Sequence, residues 1–168
     1  MDKNTLMHLD IVESLRTIQD VDLFVRDIDT LSQMLFDLEA KDTSLKQALD
    51  LISTESAAKI TKLFWEKQLD TNDRTAVTEF LKTLKTSIGQ LKIIKLVLAF
   101  DPTRKTIENI HKFVEKNIEK GYIFDIEVSE DILGGTIIMF NGKYNDFSLK
   151  KSIEDVFKNK REEILKRN

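Results

Sequence analysis

The residues of this chain that could do chemistry are two histidines and several pairs of carboxylates. His8 and His111 each stand alone, without the HxxxH or HExxH spacing that would place a second ligand on the same helical face. A lone histidine in a helical segment is typical of a surface or partly buried side chain, so we expect neither to bind a metal nor to act as a general base. Acidic pairs without a histidine nearby are interpreted as solvated helix faces. They are Asp27/Asp29, Glu154/Asp155 and Glu162/Glu163.

Phosphate binding and thiol chemistry are not indicated either. The pair Gly134-Gly135 lacks the GxGxxG spacing and a following helix, and no GxxxxGK[ST] run occurs, so we expect a tight entry into a strand. The chain has no cysteine, which excludes disulfides and thiolate metal sites. The sequence therefore predicts a protein that is not an enzyme, with no cofactor and no metal site.

Composition predicts a helix-rich globular protein. Hydrophobic residues make up 41% of the 168 residues and charged residues 33%. No window approaches the roughly 18 uninterrupted apolar residues of a membrane span, and the first residues do not resemble a secretory signal. Residues 1–90 have 11 basic and 16 acidic side chains, and residues 91–168 have 15 and 13. We expect no direct membrane insertion and no nucleic-acid binding, because the basic charge is not concentrated.

The first ninety residues have the apolar periodicity of consecutive amphipathic helices. Asp20 is a candidate N-cap between a first helix, which includes Ile18, and a second one. The short loops predict a bundle of about five helices. Trp65 could be an interface anchor, but we expect it to pack in the core, as most large aromatic side chains do. The clearest stripe comprises Phe24, Ile28, Leu31, Leu35 and Leu38.

The period changes near Gly89, where strands begin to alternate with helices. An apolar run at Ile93–Phe100 precedes a helix at Thr103–Lys120, and Tyr122–Val128 alternates with the two-residue period of a strand. A hairpin and a final helix from Leu149 to about Lys166 follow. The predicted fold class is α+β: a helical bundle at residues 1–90, then a small β-α-β-β-β-α domain at residues 91–168.

The hairpin carries the most specific signals in the chain. Asn141-Gly142 separates two short strands, and this dipeptide favours a type I′ turn because both central residues need φ > 0. Ser148 precedes an apolar helical stripe and is a candidate N-cap, since its hydroxyl can accept from an orphan backbone N–H.

At these residues the chain resembles the delta subunit of F-type ATP synthases, the family of the oligomycin-sensitivity-conferring protein. In that family a Leu/Ile-Gly-Gly leads into an apolar strand, a polar turn, a short strand and an Asp-Gly-Ser that opens the last helix. Phe147 stands where the pattern has its middle glycine. The residues that match as structural parts of the motif are Gly134, Gly135, Asn141, Gly142, Asp146 and Ser148.

The resemblance implies a non-catalytic stator subunit that links the catalytic head of a rotary ATP synthase to its peripheral stalk. The helical domain would bind N-terminal segments of the alpha subunits, and the α+β domain would bind the b subunits of the stalk. The protein would be cytoplasmic and peripheral to the inner face of the cell membrane through the complex.

The resemblance also implies candidate contact residues on both domains. An alpha segment would lie between the first and fifth predicted helices, although core packing is the commoner role for each apolar residue there. These residues are Leu6, Leu9, Val12, Val77, Phe80 and Leu84. On the last helix, whose basic neighbours suit an acidic stalk partner, the candidates are Phe157, Ile164 and Leu165.

Three other interpretations stay open at this point. One is a generic α+β adaptor unrelated to ATP synthase. Another is a stalk subunit of a V/A-type rotary ATPase, although those tend to begin with one very long helix. The third is a small transferase with an unrecognised site, which no convergent polar residues support.

Overall fold

The computed structural model describes residues 14–37, 44–117 and 121–166, and all of their side chains except those of Asp37 and of residues 159–166. The chain forms two compact units. One contains residues 1–15 and 19–91, and the other contains residues 16–18 and 92–168.

The described part of the first unit consists of four helices: α1 (Ile18–Asp37), α2 (Leu45–Leu49), α3 (Thr54–Glu66) and α4 (Arg74–Ile88). Side-chain oxygens at the N-caps satisfy backbone N–H groups that no helical carbonyl can reach. Asp73 caps α4 by accepting from the Ala76 N–H at 3.1 Å. The N-caps of α2 and α3 are Ser44 and Ser53.

The core of this unit forms from one apolar stripe of each helix. Leu31, Ile60 and Leu81 have no exposed surface, and the predicted stripe of α1 faces inward along its described length. Leu38 lies outside the described residues. Other buried members are Leu15, Phe24, Ile28, Leu35, Ala48, Ile52, Leu63, Phe64, Val77, Leu84 and Ile88.

The predicted boundary of the first two helices was wrong. Helix α1 begins at Ile18, so Asp20 lies in its first turn and is not an N-cap. Residues just before Ile18 are extended because they pair with a strand of the second unit: the Phe124 N–H donates to the Arg16 carbonyl at 2.8 Å, and Thr17 forms a parallel bridge to Phe124. The rest of the first predicted helix lies outside the described residues.

The second unit contains β1 (Lys92–Leu98), α5 (Arg104–Asn117), β2 (Tyr122–Val128), β3 (Thr136–Phe140), β4 (Lys143–Asp146) and α6 (Leu149–Lys166). The strand order is β2-β1-β3-β4. Strands β1 and β2 are parallel and are connected through α5, whereas β3 is antiparallel to both β1 and β4. This element order confirms the predicted α+β class.

One face of the sheet packs against α5. Because strand side chains alternate between faces, Ile94 and Leu96 of β1 join Phe124 of β2 in one buried cluster. Helix α5 contributes Ile107, Ile110 and Val114 to that cluster. Among the described residues, helix α6, which follows the hairpin, contributes no side chain to this cluster.

Candidate docking surfaces

The histidine in the second unit has a structural position. His111 is buried, its Nε2 lies 3.1 Å from the Tyr122 carbonyl oxygen, and its ring packs edge-on against Phe124. It is thus more deeply buried than predicted, and it holds α5 against β2. His8 lies outside the described residues. Within the described ranges no three acidic, histidine or cysteine side chains are grouped so as to bind a metal.

The hairpin between β3 and β4 confirms the predicted turn. Asn141 and Gly142 have φ values of 49° and 71°, the left-handed conformation that a type I′ turn requires at both central residues. Phe140 and Lys143 pair directly across it. The register that follows brings Asp146 opposite Ile137, so the Asp146-Phe147-Ser148 segment leaves the sheet beside the start of β3.

The glycine pair allows two backbone segments to approach closely. Gly135 has φ of 88°, and a Cβ on it would overlap the Phe147 carbonyl oxygen and lie 3.0 Å from the Ser148 Cα. On either side, the Leu149 N–H donates to the Gly134 carbonyl at 2.8 Å and the Phe147 N–H donates to the Thr136 carbonyl at 2.9 Å. The glycine doublet and the start of α6 therefore form one hydrogen-bonded unit.

The Asp146-Phe147-Ser148 segment caps α6. The Ser148 hydroxyl accepts from the Lys151 N–H at 3.2 Å, which confirms Ser148 as the N-cap. Asp146 accepts from the Ser148 N–H at 2.8 Å. Hydrogen bonds from the Ser148 hydroxyl and backbone N–H, with smaller effects of Lys151 and Lys150, lower the pKa of Asp146.

Asp146→Asn is expected to destabilise the protein more at pH 7 than at pH 3, where part of the contribution of the carboxylate is lost. A carboxyl whose pKa is lower in the folded state stabilises the fold fully at pH values above its pKa in the unfolded state, which is near 3.8. This stabilisation is lost as the pH falls through the pKa of the folded state. Urea unfolding at pH 7 and at pH 3 measures the difference between the two proteins. An equal difference at both pH values would show that the charge of Asp146 has no role.

Helix α6 carries an apolar stripe that the rest of the described chain does not cover. Leu149, Ile153, Val156 and Phe157 follow helical spacing and are 50%, 40%, 55% and 69% exposed. Of these, the sequence interpretation singled out only Phe157 as a contact residue. Ile164 and Leu165 lie on the same helix, but their side chains are outside the described residues.

The exposed surface continues beyond the helix. Leu133, which precedes the glycine pair, is 73% exposed, and Phe147, which precedes the N-cap, is 61% exposed. Several exposed apolar side chains close together in the chain and the fold favour a site of interaction with another molecule. We name the surface formed by Leu133, Phe147, Leu149, Ile153, Val156 and Phe157 the α6 surface.

Comparison with known proteins identifies the chain's relatives. The model of the family described as ATP synthase delta (OSCP) subunit matches residues 10–159. The chain belongs to this family. It is a non-catalytic stator subunit of F-type ATP synthase. The match spans both units, which leaves no support for an unrelated adaptor, a V/A-type stalk subunit or a transferase.

Two further comparisons are less informative. No curated protein matches the chain. Among solved structures, a chain from the cryo-EM structure of the Polytomella F-ATP synthase in primary rotary state 3 is similar to 46% of this chain over 99% of its own length, with 18% identity and a TM-score of 0.41.

The delta/OSCP residues predicted to contact alpha fall into three groups. Val77 and Leu84 are buried in the core of the first unit, at 0% and 1% exposed. Phe80 is half-buried and packs edge-on against Phe64, with ring centroids 5.7 Å apart. The remaining candidates, Leu6, Leu9 and Val12, lie outside the described residues.

The first unit of this delta/OSCP chain also has an exposed aromatic residue that the sequence interpretation misplaced. Trp65 was predicted to pack in the core and is 81% exposed instead. Its neighbour Phe64 takes the core position, because successive residues of a helix point in different directions. Trp65 borders a groove of about 1190 Å³ that Leu45, Leu49 and Leu69 also line.

In the described part of the chain, no helix has the length and apolar character to cross a bilayer.

Proposed function

We propose that this subunit joins the catalytic head to the peripheral stalk through two separate docking surfaces. Residues 1–90 form the alpha-binding domain and residues 91–168 the stalk-binding domain. In this role the subunit is cytoplasmic, bound to the inner face of the cell membrane only through the complex, and makes no contact with nucleic acid.

The α6 surface is the observation that carries the stalk assignment. A row of apolar side chains at positions i, i+4, i+7 and i+8 matches the ridge that one helix presents to another. Lys150, Lys151 and Lys158 are exposed on the same helix and favour a partner with acidic flanks. The C-terminal ends of the b subunits, as helical stalk elements, are the partners that this surface fits.

The alpha assignment has support in the first unit. Phe80 keeps part of its surface accessible, and a helix-in-groove contact uses apolar anchors spaced along one helical face. Val77 and Leu84 act there indirectly, by holding α4 in the core. Leu6, Leu9 and Val12 remain proposed members of the surface.

Calorimetric titration with two peptides tests the proposal. One peptide is the N-terminal segment of alpha and the other is the C-terminal segment of b, both from the same organism. We expect each to bind, and the two to bind together without competition, because they use different domains. Failure of either peptide to bind the intact subunit would overturn the assignment of that domain.

Replacing Ile153 and Phe157 together with Asp is expected to weaken binding of the b peptide by roughly 30-fold or more. The substitutions place two charges in a contact that excludes water, where anchor residues contribute about 2 kcal/mol or more. The fold should be retained, because both side chains are already accessible to solvent.

Phe113→Asp is the control for this double variant. It replaces an exposed phenylalanine of α5, outside the α6 surface, with a negative charge. We expect near wild-type affinity for it. Equal weakening in both proteins would assign the effect to charge alone and contradict the apolar contact.

A further inference from the structure

The start of α6 combines an exposed aromatic side chain with a hydrogen-bonded, closely packed backbone. Phe147 is 61% exposed, yet its N–H donates to the Thr136 carbonyl and its own carbonyl oxygen lies against Gly135. Ser148, the next residue, is buried and caps the helix. A large side chain held on a fixed backbone loses little conformational freedom when it binds, which is the property of an interface anchor.

The neighbours of Phe147 extend this anchor. The backbone bond between Leu149 and Gly134 brings residues 133–134 beside the first turn of α6. Leu133 and Leu149 are 73% and 50% exposed there. The apolar area therefore does not end where the helix begins, but continues onto the loop that the glycine pair supports.

We propose that Phe147, with Leu133 and Leu149 beside it, is the specificity-determining anchor of the stalk contact. The inference rests on the proposed binding of the b subunits by the α6 surface. The stalk helix would lie along α6 and place an apolar side chain against the Phe147 ring, beyond the end of the helical stripe. Phe147 thus selects for a stalk helix long enough, and apolar at the right position, to reach the loop.

Charge favours a stalk helix over a second copy of this chain as the occupant. Helix α6 has six basic and four acidic residues, so two copies would bring like net charge together. Lys150 and Lys151 follow the anchor directly and are exposed. A partner with acidic residues flanking an apolar stripe would complement both the apolar side chains and the lysines of this surface.

Titration of the intact subunit with the b C-terminal peptide, comparing wild type with Phe147→Ala, tests the anchor. Removing the ring is expected to weaken binding about tenfold, as loss of an aromatic anchor does. Phe113→Ala is the matched control, because Phe113 is a phenylalanine on α5 that is 66% exposed and not part of the α6 surface. Circular dichroism confirms that each variant is folded.

The outcomes separate this inference from the proposed function. Tenfold weaker binding by Phe147→Ala, with Phe113→Ala unchanged, supports the anchor. If both variants bind the peptide as wild type does, the anchor is wrong and the stalk assignment stands. If wild type does not bind the peptide, the stalk assignment fails and the anchor with it. Sedimentation of wild type as a dimer that Phe147→Ala dissociates would make a second copy the occupant and overturn the inference.

Discussion

Gly135→Ala is expected to lower the free energy of unfolding by about 2–5 kcal/mol, as a sum of two effects. A left-handed φ costs an alanine roughly 1–2 kcal/mol, and Gly135 has φ of 88°. The added methyl would also overlap the Phe147 carbonyl oxygen and crowd the Ser148 Cα, both of which are backbone atoms. Forced displacement in a packed site costs roughly another 1–3 kcal/mol. Urea unfolding measures the change.

The other glycines of the motif separate these two effects. Gly142 also has a positive φ but nothing within 4 Å of an added Cβ, so Gly142→Ala should show the conformational cost alone. An added Cβ on Gly134 has its nearest neighbour at 3.7 Å and no positive φ, so Gly134→Ala should change stability little. If Gly135→Ala were no worse than Gly142→Ala, the close approach of the two segments would have no energetic weight.

The fragment of residues 92–168 is expected to be at least about 1 kcal/mol less stable than the same fragment with residues 14–18 attached by a flexible linker. Without residues 16–18 the Phe124 N–H exchanges its acceptor, the Arg16 carbonyl, for water, and a hydrogen bond of this kind contributes about 0.5–1.5 kcal/mol. Burial of Phe124, which has no exposed surface in the whole protein, would also decrease.

Association provides a second measurement on these fragments. Strand β2 is an edge of the sheet and would present its unpaired backbone groups to other chains. Sedimentation should therefore show aggregates of the short fragment and a monomer of the linked one. Two fragments with the same urea midpoint and the same mass would contradict a structural role for residues 16–18.

The sequence predicted those parts of the fold that depend on local chemistry. Asn141-Gly142 specifies its turn because few other dipeptides adopt two left-handed residues, and Ser148 specifies a helix start because its hydroxyl replaces a missing acceptor. The strand predicted at Tyr122–Val128 is observed with the same first and last residues, since its apolar residues alternate.

What depends on distant partners was not predictable. The extended conformation at Arg16 and Thr17 arises from pairing with β2, more than a hundred residues away in the chain. The apolar period that runs through Ile18 therefore predicted a helix where these two residues are extended. Apolar periodicity also cannot distinguish a stripe that packs in the core of the chain from one that binds another protein. For that reason Val77 and Leu84 were grouped with contact residues, while Leu149, Ile153 and Val156 were not.

The α6 surface has a consequence for the subunit before it joins the complex. A newly made chain exposes a row of leucine, isoleucine, valine and phenylalanine side chains that no other residue in the described ranges covers. Surplus copies would be recognised by chaperones and proteases that bind apolar segments. Synthesis of the subunit matched to that of its stalk partner would limit the number of copies whose α6 surface is uncovered.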